Sequence, residues 1–326
     1  MFKKIINLLL VSTLTIGIFS GCASKMEKEE VKVVLDWVPN TNHTGMYVAL
    51  EQGYYKDLGL DVEIIQPPEG GALQLVAAGK AQFAVSFQEE IGTALTAENP
   101  LPVVAVASIL EHNLSGILSL KEKGIDSPRK LEGARYASWD TPFEKAILKA
   151  IMEEDGGNFT KLNLIPNTVT DVITALQTDI DAVWVFYGWD GIATELAGIS
   201  TNYISFKEIN PVFDFYTPVL ASSTEFLKEN PSAARKFLEA TAKGYEYAIS
   251  HPEEAAEILV KYAPEIDLEL AKKSQEFLAK EYKAEKEKWG TIDKTRWTNF
   301  YNWMYENQII GIDLKEQGFT NEYLPK

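Results

Sequence analysis

Cysteine is nearly absent from this 326-residue chain; Cys22 stands alone, so no internal disulfide can form. Histidine is almost as scarce, with three residues: His43, His112 and His251. They are scattered, with no Cys partner and no H-x-x-x-H or H-E-x-x-H spacing, which argues against a zinc centre. No G-x-S-x-G elbow, P-loop or G-x-G-x-x-G run occurs, so the common cradles for a serine nucleophile, a nucleoside triphosphate or a dinucleotide are missing. Basic residues number 31 against 47 acidic ones, a net charge of −16. That balance lacks the basic footprint that nucleic-acid phosphates require. Beyond the N-terminus no apolar run approaches the roughly 20 residues of a membrane span. Internal repeats and low-complexity tracts are lacking too.

What is present begins with residues 1–22, "MFKKIINLLLVSTLTIGIFSGC": two Lys, an apolar run, small residues and a Cys. This reads as a secretory signal. Ser20-Gly21-Cys22 resembles a lipobox, although Phe19 stands where Leu is usual, and Cys22 is expected to carry lipid after cleavage before it. Residues 23–30 then form a polar tether, giving a protein held at a membrane from outside the cytoplasm and otherwise soluble. Two of the 31 basic residues leave with the signal, so the mature charge is about −18.

The remaining ~300 residues exceed one comfortable core and point to two lobes. Strand patterns at 31–35, 61–65, 83–87 and 102–110 alternate with helical patterns at 47–58, 72–81 and 88–98, an α/β arrangement. A second α/β series starts near Gly116. Its helix "TPFEKAILKAIMEEDG" has Thr141 as N-cap, Pro142 at N1 and Glu144 at N3, the signature of a capping box. "FYTPVLASS" (215–223) reads as a strand returning to the first lobe. The last hundred residues are amphipathic helices, starting at Ser223 or Thr224 and near Ser232 and broken at Asn-Pro and His-Pro steps. The expected division is 31–115 plus 218–326 for lobe 1, with the C-terminal helices, and 116–217 for lobe 2. His112, near the crossover, and His251, before Pro252, read as structural.

Aromatic residues gather where strands end. Trp37, Phe87, Trp139, Tyr187, Trp189 and Tyr216 mostly lie just past the carboxyl ends of predicted strands, where open α/β sheets bind ligands. Trp184, inside "DAVWVF", reads as core. Acids share these places: Asp36, Glu89, Glu90, Asp140, Asp190 and Asp214. Each alone also fits as a favourable charge at a helix N-terminus. Together they describe flat apolar faces edged by acceptors. Such a pocket suits a planar, nitrogen-rich ligand whose ring stacks and whose amino groups donate to carboxylates. A sulfonate or phosphate suits it less, because no Arg lies in these segments.

At these residues the chain resembles the periplasmic-type substrate-binding proteins of ABC importers, in the branch of thiamine-pyrimidine-precursor binders and the eukaryotic pyrimidine synthase. "DWVPNTNHTGMYVALEQGYYKDLGLDVEI", "GKAQFAVSFQEE", "DAVWVFYGWDGI" and "FYTPVLASS" carry the likeness in order, and it covers nearly all of 31–326. It implies a type II periplasmic-binding-protein fold, two α/β lobes joined by two crossovers and closing like a Venus flytrap on a ligand delivered to an ABC permease. It implies a monomer with no cofactor. The ligand it implies is an aminopyrimidine such as the formylaminopyrimidine; riboflavin-like heterocycles and sulfonate- or nitrate-type anions are the alternatives. In the synthase a Lys holds pyridoxal phosphate and a His supplies chemistry. Here Ser86 and Glu90 stand about where those residues would be, and the return segment has no Cys, so no Schiff base can form and no enzyme is expected. By the same likeness, Trp37, Tyr187, Trp189 and Tyr216 are expected to stack and Asn40, Gln88, Glu89 and Asp190 to bond the ring edge. Phe87 is expected in the same pocket, and Trp139 as a wall from lobe 2. His43 is expected in a turn at the pocket entrance.

Overall fold

The computed structural model describes residues 29–68 and 71–326; the expected signal and Cys22 lie outside the described residues. The first lobe opens with β1 (Glu29–Val34), α1 (Thr44–Glu51), α2 (Tyr54–Asp57), β2 (Leu60–Ile65), α3 (Ala72–Ala77), β3 (Phe83–Ser86), α4 (Gln88–Thr96) and β4 (Val103–Ser108). The second comprises β5 (Ser115–Leu120), β6 (Arg135–Ser138), α5 (Pro142–Glu154), β7 (Asn163–Pro166), α6 (Val172–Gln177), β8 (Ala182–Phe186), α7 (Ile192–Leu196), β9 (Thr201–Ser205) and α8 (Phe206–Ile209). The chain then returns through β10 (Val219–Ser223) to α9 (Thr224–Glu229), α10 (Pro231–Ser250), α11 (Pro252–Tyr262), α12 (Leu268–Leu278) and α13 (Lys294–Glu306).

Two five-stranded sheets result, ordered β2-β1-β3-β10-β4 and β7-β6-β8-β5-β9. β1 pairs parallel with β2 and β3, and β10 runs antiparallel between β3 and β4. In lobe 2, β6 pairs parallel with β7 and β8, while β5 runs antiparallel to β8 and β9. This is the two-lobed α/β fold expected, with a strand in each sheet supplied against the chain direction. Among the described residues no helix is long and apolar enough to cross a membrane.

Several local expectations are corrected. β1 begins at Glu29, inside the stretch read as tether. The single helix expected over 47–58 is two, because Gly53 turns left-handed (φ 76°) between them. β9, "TNYIS", carries no clear alternation and is not expected from the sequence; it forms because the free edge of β5 accepts it. At α5, Thr141 Oγ1 does accept the Glu144 N–H at 3.2 Å. The reciprocal half of the capping box is missing, because the fully buried Glu144 carboxylate instead accepts from Tyr136 OH, Ser138 Oγ and the Trp139 N–H. Ser223 caps α9 as read.

The segments 109–114 and 206–218 cross between lobes, and one cation ties them together. Arg296 of α13 donates to Glu111 O at 2.6 Å and Glu111 Oε1 at 2.7 Å on the first crossing, and to Asp214 Oδ2 at 2.9 Å on the second. Its guanidinium lies 3.9 Å from the Tyr216 ring centroid. His112 joins the same group, 2.7 Å from Asp214. That bond is the main cause of its raised pKa. Burial opposes ionisation of Asp214, but His112 and Arg296 together hold its carboxyl below the usual range. His112 is therefore structural, as expected, and Asp214 belongs to the hinge rather than to the cleft between the lobes.

In lobe 1, α1 lies directly on α10. Both helices present glycine at the crossing: a Cβ at Gly244 would stand 1.9 Å from the Gly45 carbonyl oxygen, and one at Gly45 would enter the Tyr245 ring. This close approach seats the loop between β1 and α1, the stretch that carries Trp37 and Asn40. Gly244→Ala must push the two helix backbones apart, and overpacking of this kind costs about 1–3 kcal/mol or more. The expected result is a lowered urea midpoint with unchanged m; a midpoint within error of the parent would show that the helices can separate freely.

Candidate functional site

The carboxyl ends of β1 and β3 in lobe 1 face those of β6 and β8 in lobe 2, and the residues read from the sequence distribute unevenly around that cleft. β3 ends at Ser86, Phe87 takes the N-cap position in extended backbone, and α4 begins at Gln88. From lobe 2, β8 ends at Phe186 and runs into a π-helical turn, Tyr187–Gly191, ahead of α7. Wide turns of this kind gather at functional sites. The Phe87 and Phe186 rings meet across the lobes with centroids 6.4 Å apart and planes 16° from parallel. Phe186 is not among the expected residues. It shares a face with Trp184, two positions back on the strand, which is the signal that could have found it.

Trp37 and Trp139 are among the most exposed large aromatics, at 43% and 41%. Trp139 leans on Trp184, ring centroids 5.5 Å apart. Trp184 is buried as read, yet its indole N–H has no partner among the described residues. Trp189 and Asp190 lie half-buried in the π-turn. Tyr187 opens the same turn, with its hydroxyl donating to Glu195 and its ring packed between Tyr203 and Phe277.

Three of the expected residues serve the scaffold instead. Gln88 is fully buried; its Nε2 donates to Trp297 O at 2.9 Å and its Oε1 accepts the Tyr216 N–H at 3.0 Å. Tyr216 is equally buried, its hydroxyl accepting the Asp293 N–H at 2.7 Å and its ring covered by Arg296. Both point into lobe 1 because α4 and β10 must dock on α13, which takes their polar atoms. Asn40 lies at the cleft loop, but its Oδ1 accepts the Asn42 N–H and its Nδ2 donates to Val38 O, so its amide holds the loop.

His43 is also placed differently. It is fully buried beneath the loop rather than at an entrance. Its Nδ1 accepts the Asn40 N–H at 3.1 Å, so the proton sits on Nε2 and is donated to Asp36 Oδ1 at 2.6 Å. His43 thus aims the Asp36 carboxylate, a pairing the sequence distance of seven residues does not suggest.

The acids of the cleft are unusual in their company. Ser86 Oγ donates to Glu90 Oε2 at 2.6 Å. Burial raises the Glu90 pKa against that bond, and Asp36 adds to the rise. Glu89, in the first turn of α4, has Oε2 sealed from solvent with no partner among the described residues. Desolvation pushes its carboxyl up to about 8, its own backbone N–H opposing and Glu90 adding. Desolvation likewise lifts Asp190 to about 6, with the Phe186 and Asp190 N–H groups opposing. Neither Lys nor Arg contributes to any of the three. Such an arrangement can accept hydrogen bonds from amino groups, and a neutral Glu89 can also donate one to a ring nitrogen.

A separate groove of about 840 Å³ opens behind the hinge, between α13 and the segment after β9. Its walls include Asn210, Asp214, Arg296 and Asn299; of the acids read from the sequence only Asp214 lines it, and that carboxylate is already held by His112 and Arg296. A cluster of metal-ligating residue types, Glu111, His112 and Glu285, also lies at the hinge. Arg296 already occupies Glu111 there.

Comparison with known proteins gives the family and the fold. Residues 40–255 match the family model described as "NMT1/THI5 like". A formylaminopyrimidine-binding protein of Halalkalibacterium halodurans is 30% identical over 92% of this chain and 92% of its own length. The 4-amino-5-hydroxymethyl-2-methylpyrimidine phosphate synthase THI11 of Saccharomyces cerevisiae is 24% identical over 76% of this chain and 75% of its own. Among solved structures, the periplasmic aliphatic sulphonate binding protein SsuA of Escherichia coli superposes with a TM-score of 0.69 at 15% identity, covering 91% of this chain and 94% of that one. The fold is that of the periplasmic binding proteins.

The raised pKa of Glu89 has a defined sign in stability. The carboxyl ionises near 4.5 in the unfolded chain and near about 8 in the folded one. Its contribution is full below the lower value and is lost as pH rises through the upper one. Glu89→Gln removes that loss. The variant is expected to gain about 1–3 kcal/mol on the parent between pH 5 and pH 8.5, measured by urea unfolding at each pH. A pH-independent difference would show that the carboxyl is solvated.

Proposed function

This chain belongs to the NMT1/THI5-like family, and we propose that it is the extracytoplasmic, lipid-anchored binding protein of an ABC importer for an aminopyrimidine precursor of thiamine. The observation that carries the reading is the set of desolvated carboxyls, Glu89, Glu90 and Asp190, left without a cation between aromatic faces from both lobes. A planar aminopyrimidine supplies what they lack. Its ring stacks beside Trp37, Trp139 and Trp189, its amino group donates to the acids, and the lobes close because the ligand touches both at once. The formylaminopyrimidine-binding relative, matched over 92% of each chain, supports this ligand class. Cys22 carries the lipid, the protein acts as a monomer, and the closed form is what the permease receives.

The fold is shared with sulfonate binders, but a sulfonate would meet carboxylates here and no paired cation, which disfavours it. Riboflavin-like heterocycles remain the comparison within the planar class. A pyridoxal-dependent synthase is disfavoured by the residues themselves. Where the resemblance puts a Lys and a His, Ser86 and Glu90 bond to each other, so the amine that would hold the cofactor is missing.

Calorimetry with formylaminopyrimidine, riboflavin and an alkanesulfonate tests the reading: the aminopyrimidine should bind, and a sulfonate binding more tightly would overturn it. Trp189→Ala should weaken the aminopyrimidine by about 1–3 kcal/mol, as loss of a base–aromatic stack does; an unchanged Kd would remove Trp189 from the cleft. Incubation with pyridoxal phosphate followed by washing should leave no Schiff-base absorbance, and a band that persists would favour the synthase.

A further inference from the structure

We propose that Ser274 is a positioning residue that clamps the lobe 2 half of the cleft onto the lobe 1 half through a relay of two hydroxyls, an inference that rests on the cleft reading above for its ligand arm only. Ser274 lies on α12, which packs with α11 on lobe 1 in the C-terminal run, and it is fully buried. Its Oγ contacts two groups that are far apart in sequence. One is the carbonyl of Gly188, in the π-turn that carries Trp189 and Asp190. The other is Thr41 Oγ1 at 2.5 Å, in the turn that follows Trp37 and Asn40.

The protons can be assigned. A carbonyl only accepts, so the single Ser274 proton goes to Gly188, and the Thr41 hydroxyl must donate to Ser274. Thr41 is itself held at the other side, its carbonyl accepting from Tyr282 OH at 2.6 Å. Thr41 is 1% exposed, so water has no route to replace a broken link. The neighbouring turn of α12 adds apolar contact along the same face: Phe277 lies 5.7 Å from the Tyr187 ring, and a Cβ on Gly188 would stand 2.6 Å from Leu278 Cδ2. Thus the aromatic and acidic side chains of the π-turn take their position from a helix of the other lobe. Ser274 touches no ligand.

The test uses the soluble chain from residue 23 onward and two variants, Ser274→Ala and the near-isosteric Thr41→Val. Small-angle scattering without ligand should show a larger radius of gyration in each variant than in the parent. This arm needs no knowledge of the ligand, so it judges the clamp even where formylaminopyrimidine fails to bind. In calorimetry each variant should raise the Kd for formylaminopyrimidine about tenfold or more, and the double variant should lose less than the product of the single losses, because both break one relay. If Ser274→Ala does not fold, Thr41→Val decides alone. Parent-like scattering with parent-like affinity, or fully multiplicative losses, would overturn the relay.

Discussion

The arrangement depends on Arg296. Two chain crossings leave and re-enter lobe 1, and both are bound to this one guanidinium, the first through Glu111 and the second through Asp214. A cation with 16% of its side chain exposed is tolerated because its partners are carboxylates, themselves 2% and 17% exposed. Removing either acid would strand a buried charge, the costly way to break such a group. The Tyr216 ring beneath the guanidinium fixes its plane. Across the lobes, Phe87 and Phe186, each at the end of a central strand, are the rings that meet.

The contrast between the two acidic regions is informative. At the hinge, His112 and Arg296 outweigh burial at Asp214, which stays ionised, while at Glu111 burial still raises the pKa and the same cations only limit the rise. In the cleft, burial is offset only by backbone N–H groups and a serine, and Glu89, Glu90 and Asp190 are all pushed toward the neutral form. A sealed Glu89 oxygen without a partner is rare in folded proteins, because each such atom costs free energy. The chain has the means to neutralise acids, as the hinge shows. On the function proposed above, leaving these without a cation would keep acceptors for the ligand and make the closed state better with it than without it.

How far the sequence foretells this follows from what side-chain periodicity can resolve. Alternation and cap residues locate most strands and the start of α5, and Phe87 and Tyr187 do fall where a strand ends. Direction at such an end is harder. Phe87, Gln88 and Glu89 are consecutive, yet the change from extended to helical backbone at Phe87 turns Gln88 into the core while leaving Phe87 toward lobe 2. Tyr216 looks equivalent to Tyr187, but the strand that follows it runs antiparallel, so the residues before it lie at the hinge and its ring goes to Arg296. Asn40 and His43 read as candidates to meet a ligand or solvent. Their polar atoms answer local needs instead, capping one turn and aiming Asp36. Such allegiances depend on atoms far away in sequence, which one chain read alone does not display.

The same limit explains why the C-terminal helices look like mere packing. Lobe 2 is a continuous insertion, so its own strands can shape the π-turn but cannot fix where that turn lies relative to lobe 1. The hinge fixes one edge only, and a swing about it moves the far edge most. The turn meets the first crossing at its start, where the Tyr187 N–H donates to Leu114 O at 2.9 Å, and contacts from lobe 1 beyond that bond are what remain to set its position. α12 supplies them: it reaches across with a hydroxyl to the Gly188 carbonyl and rests Phe277 on Tyr187. An amphipathic pattern reports that a helix is half-buried; it carries no record that the buried face touches two lobes.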